Sequence, residues 1–234
     1  MTRDAGVLAS RGSELALRIA SAIVLAALAL GAAWAGGGWL AAFWAVAAVG
    51  TLVEWWRLTA PGGPIWQLAG VVYAAILVAA PVVLRGDPAW GFAALLWLYA
   101  AVWLSDIMAF ACGRALGGPK LWPRLSPKKT WSGLLGGTVA GTGGAVAVAW
   151  AAGAPALGPV ALLSFVVALA SQGGDLLESA LKRRFGAKDS SHVIPGHGGI
   201  MDRIDGFVTA AALAALVGVL RAGLGHAGEG VLAW

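Results

Sequence analysis

Residues 157–183 read LGPVALLSFVVALASQGGDLLESALKR. Between 157 and 181 the only charged side chains are Asp175 and Glu178. That apolar length exceeds the roughly 20 residues a helix needs to cross the hydrocarbon core of a bilayer. The run ends abruptly in Lys182 and Arg183, as a helix does when it emerges at a charged rim. Helical spacing also orders its polar residues, placing Ser171, Asp175, Glu178 or Ser179, and Lys182 on one face.

Runs of the same kind recur along the chain. Spans are expected at about 17–35, 38–56, 65–84, 89–112, 133–152, 157–181 and 200–220. Turn residues separate them: Ala35-Gly36-Gly37-Gly38, Pro61-Gly62-Gly63-Pro64, Arg85-Gly86-Asp87-Pro88 and Gly153-Ala154-Pro155. Of the 234 residues, 59% are hydrophobic and 12% charged, against about 25% charged in a soluble domain. The fold class is therefore an all-α, polytopic transmembrane helical bundle of about seven spans. Residues 1–100 are expected to be structural, lipid-facing helices, and 101–234 a catalytic transmembrane region with two polar loops.

Charge fixes the expected orientation. With the N-terminus on the cytoplasmic side, every Lys and Arg except Arg85 and Arg221 falls on that side, as the positive-inside rule requires. The two most polar loops, 113–132 and 182–199, then share the cytoplasmic face and, with two spans between them, can converge. The +5 net charge points to membrane lipids and anionic headgroups, with no nucleic acid. The polar segment 1–14 lacks a cleavage site, so no removable signal peptide is expected. A single cysteine, Cys112, excludes an intrachain disulfide and a Cys-based metal site. Gly133, Gly137 and Gly141 form a small-residue stripe that suits packing inside one subunit or a homodimer face.

The acidic residues are unevenly placed. Asp175, Glu178, Asp189, Asp202 and Asp205 lie within 31 residues of sequence, and Asp106 interrupts an otherwise apolar run. An ionisable residue in a span is costly and is usually functional; for Asp106 the plainer reading is a buried hydrogen bond or an ion pair with an Arg. Asp202 and Asp205, at i and i+3, share a helix face near Asp175. Carboxylates so close repel one another unless a cation intervenes, and a hard ion such as Mg²⁺ bridges carboxylates to substrate phosphates. The competing reading is a set of ion pairs with Lys182, Arg183 and Arg203, and Glu178 with Lys182 at i, i+4 is expected to be one. Asp175 and Asp202 are assigned to metal.

Two segments carry phosphate-binding residue types. Residues 185–199 combine Lys188, Ser190, Ser191, His192 and His197 with Gly196, Gly198 and Gly199, just before a helix N-terminus that favours anions. Without an i, i+4 His pair or further His or Cys ligands, zinc is not expected there. Ser126, Lys128, Lys129 and Thr130 form a compact cationic, hydroxyl-bearing turn, whereas Arg114, Lys120 and Arg124 read as positive-inside anchors. Paired carboxylates, cations and glycine amides at one rim suit metal-assisted phosphoryl or nucleotidyl chemistry on a lipid headgroup.

The run Ser179-Ala180-Leu181-Lys182-Arg183, then Lys188-Asp189, then Ile194-Pro195-Gly196-His197-Gly198-Gly199-Ile200-Met201-Asp202-Arg203-Ile204-Asp205 resembles the motif of the phosphatidate cytidylyltransferase (CDP-diglyceride synthetase) family. Upstream, Ser105-Asp106, Ala109-Phe110, Gly113-Arg114, Gly117 and Ser126-Pro127-Lys128-Lys129-Thr130-Trp131 resemble that family's second block. Ser132 stands where that block carries Glu. The resemblance covers roughly residues 100–215 and implies transfer of CMP from CTP to phosphatidate, with release of pyrophosphate. It further implies Mg²⁺ on Asp175 and Asp202, supported by Asp106 and Asp205, with a second cation, monovalent or divalent, conceivable. Lys129, Lys182, Arg183, Lys188 and Arg203 would neutralise charge; Asp189 would orient Lys188 or touch the metal; His197, Gly198 and Gly199 would shape a phosphate cradle. The site would face the cytoplasm from the inner membrane. The competing class is an ion or lipid transporter using intramembrane Asp106 and Asp175, while a CDP-alcohol phosphotransferase is disfavoured because its motif is missing.

Overall fold

The computed structural model describes residues 2–187, 190–191 and 198–234, with side chains from Ile19 onward. Among these residues the chain forms helices α1 (Thr2–Ala35), α2 (Gly37–Thr59), α3 (Pro64–Arg85) and α4 (Gly91–Ala115). A hairpin of β1 (Lys120–Trp122) and β2 (Ser126–Thr130) follows, and then α5 (Trp131–Ala151), α6 (Leu157–Arg184), α7 (Met201–Ala222) and α8 (Ala227–Leu232). Helices α2 to α7 are each long and apolar enough to cross a membrane, and α1 adds the apolar segment Ile19–Ala35. The protein is thus a polytopic helical bundle, and its helices start and stop close to the expected turns.

Three features differ from the expected map. Helix α1 begins at Thr2, far ahead of its apolar part. The cationic turn is the second strand of an antiparallel ribbon, with Lys120 paired to Thr130 and Trp122 to Ser126. After α7 the chain turns back through α8, where Gly218 and Gly230 approach so closely that neither has room for a side chain. At this end Asp87 Oδ1 accepts from the amides of Ala89 (2.9 Å) and Trp90 (2.8 Å), and Oδ2 from that of Glu229 (2.7 Å). Arg85 donates from Nε to the Ala33 carbonyl at 2.7 Å, and Arg221 lies over the Trp234 ring. Both basic residues set apart by the charge map therefore stand at the end away from the hairpin.

Inside the bundle several polar side chains find partners close by, as a medium without water favours. Buried Trp97 donates to Ser164 Oγ (2.8 Å), which donates to the Val160 carbonyl (2.7 Å). Trp44 of α2 stacks on Phe207 of α7 at 4.4 Å, and Tyr99 of α4 stacks on Trp103 at 5.0 Å. The glycine stripe of α5 faces inward: a Cβ on Gly133, Gly137 or Gly141 would run into the backbone carbonyl of Ala109, Ser105 or Ala101 of α4. The stripe is filled within one subunit and is not left as a dimer face. Ser105 uses the closeness to donate to the Gly137 carbonyl at 3.0 Å.

Gly141 and Gly143 form a matched pair on α5, since a Cβ at Gly143 meets nothing within 4 Å. Gly141→Ala is expected to destabilise the bundle by about 1–3 kcal/mol through overpacking. Gly143→Ala is expected to leave the unfolding temperature in detergent unchanged or slightly raised, because alanine is the better helix former.

Candidate active site

The site begins where α6 and α7 cross. Gly174 faces Gly206, and a Cβ on Gly174 would lie 3.0 Å from the Gly206 Cα. A Cβ on Gly206 would lie 2.6 Å from Ser171 Oγ and 2.8 Å from Asp175 Oδ1. The two glycines let the backbones touch, and so bring Asp175 of α6 beside the first turns of α7. Thr209 closes the crossing by donating to the Ala170 carbonyl at 2.9 Å. Gly173 meets nothing within 4 Å, so packing gives no reason for it.

Two lysines bind the carboxylates. Lys129 reaches from β2 to Asp175 Oδ2 at 2.8 Å. Lys182 sits between Glu178 Oε2 (2.9 Å) and Asp202 Oδ1 (2.7 Å). The expected Glu178–Lys182 pair is thus present. Asp202 Oδ2 reaches back to accept from Gly199 N at 2.9 Å and Ser190 N at 3.4 Å. Asp205 Oδ1 accepts from Gly206 N (2.9 Å), and its carboxylate stands in the field of Asp175 and Glu178. Asp106, exposed on α4, interacts electrostatically with Asp175, Lys129 and Arg203.

With Asp175 and Asp202 each paired to a lysine, the ligand atoms of Asp106, Asp175 and Asp202 do not all lie within 4.8 Å of one another. Among the described residues the one Asp, Glu, His or Cys trio with ligand atoms within 4.8 Å of one another is Asp87, His226 and Glu229 at the other end. The reason is electrostatic: each ammonium draws a carboxylate to itself, so Asp175 turns to β2 and Asp202 to Lys182. The donor chemistry nevertheless fits a hard cation. Glu178 Oε1 and Ser171 Oγ are buried without a hydrogen-bond partner among the described residues. The Asp202 and Asp205 carboxylates within reach of Glu178 cannot supply a donor while ionised. Asp106, Asp175, Glu178, Asp202 and Asp205 are five, against Lys129, Lys182 and Arg203 among the described residues.

The two polar loops converge as expected. Leu125, Ser126, Pro127 and Lys128 of the hairpin face Ser179, Lys182 and Arg183 of α6 across a cleft of about 190 Å³. Arg183 donates to the Leu125 carbonyl at 3.4 Å. Thr130 has a different place from the phosphate contact expected of it: it is buried, and its Oγ1 caps α5 by accepting from Gly133 N at 3.1 Å. Ser132, at the position where a Glu was expected, bonds Thr130 Oγ1 and the Gly117 carbonyl and so fastens the hairpin base. Gly198 adopts a positive φ of 85° with Asp202 Oδ2 where its Cβ would be. Lys188, Asp189, His192 and His197 lie outside the described residues.

Two site residues escaped the sequence reading. Tyr73 of α3 interacts with the charges of Asp175, Glu178 and Asp205. Glu54 of α2 is 2% exposed and bonds the first amides of α7, Ile200 N (2.9 Å) and Met201 N (2.8 Å). Helix α7 has no side-chain cap of its own, so α2 supplies it. The signal that singled out Asp106, an acid inside an apolar run, applies equally to Glu54 in Thr51-Leu52-Val53-Glu54-Trp55-Trp56.

Fold and site define a membrane-embedded bundle with a cationic cleft at one end, tied by Lys129 and Lys182 to the carboxylates of α6 and α7. Residues 63–220 match the model of the family described as "Cytidylyltransferase family", and the chain belongs to that family. It is 48% identical over 171 residues to a phosphatidate cytidylyltransferase of Brucella abortus (strain 2308), covering 73% of this chain and 62% of that protein. It is 33% identical over 211 residues to a protein of the same name from Rickettsia bellii (strain RML369-C), covering 86% and 89%. A third, from Staphylococcus saprophyticus, is 40% identical over 115 residues, covering 49% and 44%. The chain thus spans about three fifths of the length of its Brucella relatives (62%).

Lys182→Met leaves Glu178 and Asp202 facing each other without their shared cation. Breaking a buried pair from one side is expected to cost about 3 kcal/mol, read as a lower unfolding temperature in detergent. Adding Glu178→Gln to the same chain is expected to recover part of the loss, as a double-mutant cycle would register.

Proposed function

We propose that this protein transfers CMP from CTP to phosphatidate, giving CDP-diacylglycerol and pyrophosphate. The observation that carries this reading is the convergence of the hairpin and the end of α6 on one cationic cleft, directly tied to the carboxylates of α6 and α7 by Lys129 and Lys182. The names of the relatives point the same way. The transport reading gains no support from the family or from these relatives.

The residues suit the chemistry. A phosphatidate oxygen, already anionic at neutral pH, attacks the α-phosphorus of CTP. The new P–O bond forms as the bond from the α-phosphorus to the bridging oxygen breaks, and that electron pair leaves with pyrophosphate. No strong general base is needed; the barrier is the meeting of two polyanions and the charge of the leaving group. Lys128, Lys182 and Arg183 line the cleft, and they would bind phosphates there. Ser126 is placed to donate a hydrogen bond. Lys129 and Lys182, paired with Asp175 and Asp202, would turn to bound phosphates, and the two carboxylates would then be available to hold a divalent cation. Mg²⁺ held by Asp175 and Asp202, with Asp106, Glu178 or Asp205 in support, would grip the triphosphate and offset its charge. By the family motif, Lys188, Asp189, His197, Gly198, Gly199 and Arg203 belong to the same phosphate cradle.

An amphiphilic substrate also fits the surroundings. Ile107, Phe110 and Leu177 are exposed apolar side chains within a turn or so of Asp106 and Asp175, so acyl chains can stay in lipid while the headgroup enters the cleft. On this reading the end lies at the cytoplasmic face of the inner membrane, where CTP is available, and the distribution of basic residues favours that orientation.

The purified full chain in detergent is expected to release pyrophosphate from CTP only when phosphatidate and Mg²⁺ are both present. Asp175→Asn and Asp202→Asn are each expected to reduce that rate to about 1% or less while the protein stays folded. Most of the wild-type rate in either variant would remove that residue from the metal site, and ion flux in liposomes without turnover would replace the enzyme by a transporter.

A further inference from the structure

The loop between α6 and α7 is pinned at its base by a side chain from a distant helix. Glu54 Oε2 accepts from Ser190 Oγ (3.0 Å) and Met201 N (2.8 Å), and Oε1 from Ser191 Oγ (2.5 Å) and Ile200 N (2.9 Å). Each oxygen thus takes one hydroxyl from where the loop starts and one amide from where it ends. An ionised carboxylate offers about four lone-pair sites, and here all four are filled. Glu54 therefore has no acceptor left for a metal or a substrate. What remains to it is to hold residues 190–191 against residues 200–201.

That grip bears directly on the site. Clasped Ser190 also donates its amide to Asp202 Oδ2 at 3.4 Å, and Gly199, next to clasped Ile200, does the same at 2.9 Å, so the clasp steadies two of the donors that orient Asp202 beside Lys182. Gly199 fits because it has no side chain: its Cβ would lie 2.6 Å from Glu54 Oε2. Loop base, glycine amides and the first turn of α7 form one unit around this carboxylate. Glu54 lies outside the stretch 63–220 that matches the family.

We propose that Glu54 is a positioning residue that clasps the 190–201 loop and so holds Asp202 and the Gly198-Gly199 backbone ready for the nucleotide triphosphate. The proposal rests on the reading of the cleft as a CTP site. A loosened clasp should weaken the nucleotide side of the reaction and spare the lipid side.

Glu54→Gln keeps the size of the side chain but replaces one acceptor oxygen by an NH2 group that faces two of the four donors. In the full chain in detergent, exchange of the Ile200 and Met201 amides is expected to quicken about tenfold or more, and KM for CTP to rise about tenfold, as for a lost charge-assisted hydrogen bond. KM for phosphatidate is expected to stay within about threefold. The double variant Ser190→Ala, Ser191→Ala removes the two hydroxyls but leaves the helix cap, and is expected to raise KM for CTP in the same direction by less; it decides the matter if Glu54→Gln does not fold. Unchanged amide exchange, an equal rise in both KM values, or a fall in kcat alone would overturn the proposal. If the unmodified protein releases no pyrophosphate from CTP, the nucleotide reading falls, while amide exchange still decides whether Glu54 clasps the loop.

Discussion

Carboxylates gathered inside an apolar bundle repel one another and lose hydration, so their positions are dictated by whatever positive charge stands among them. Among the described residues two ammonium groups pair with them directly, and Arg203 adds its charge near Asp106. Lys182 bridges Glu178 and Asp202, and Lys129 crosses from the hairpin to Asp175. These contacts join α6 to α7 and both to β2, and the cleft takes its shape from them. Compensation is incomplete: a buried oxygen of Glu178 has no donor among the described residues. A cluster left short of positive charge binds a cation more readily than a neutral one, and its lysines are already within reach of an arriving anion.

Glycine does the geometric part of the same task. Between α4 and α5 it lets helix backbones meet, and between α6 and α7 the Gly174–Gly206 contact brings Asp175 alongside the first turns of α7. Helix propensity opposes glycine in both places. It is tolerated because close approach stabilises helix association in a lipid medium, where the hydrophobic effect between helices is absent.

Much of this was legible in the sequence, for reasons that can be named. The spans follow from apolar length, the sidedness of the charges from the placement of Lys and Arg, and the meeting of the two polar loops from the two spans between them. The Glu178–Lys182 pair follows from i, i+4 spacing. Long-range partners were not legible. Nothing local in Lys129 announces Asp175, 46 positions away, or in Glu54 announces Ile200, 146 positions away. The hairpin was missed because Ser126-Pro127-Lys128-Lys129-Thr130 lacks the alternating apolar pattern of a strand; it pairs at the surface, beyond the reach of that signal. Thr130 reads as a phosphate contact or as a helix cap from the same residue type, and only its neighbours decide between them.

The hairpin gives the cleft two walls of unequal stiffness. One wall is the end of α6, which packs backbone against backbone on α7. The other is a ribbon of two short strands, a structure with little stability when alone, fastened at its base by Thr130 and Ser132 and across the gap by Lys129. A load on the cleft is therefore absorbed by the ribbon while the helices hold still. Whatever enters meets basic side chains on both walls, held firmly on the helical side and yieldingly on the ribbon.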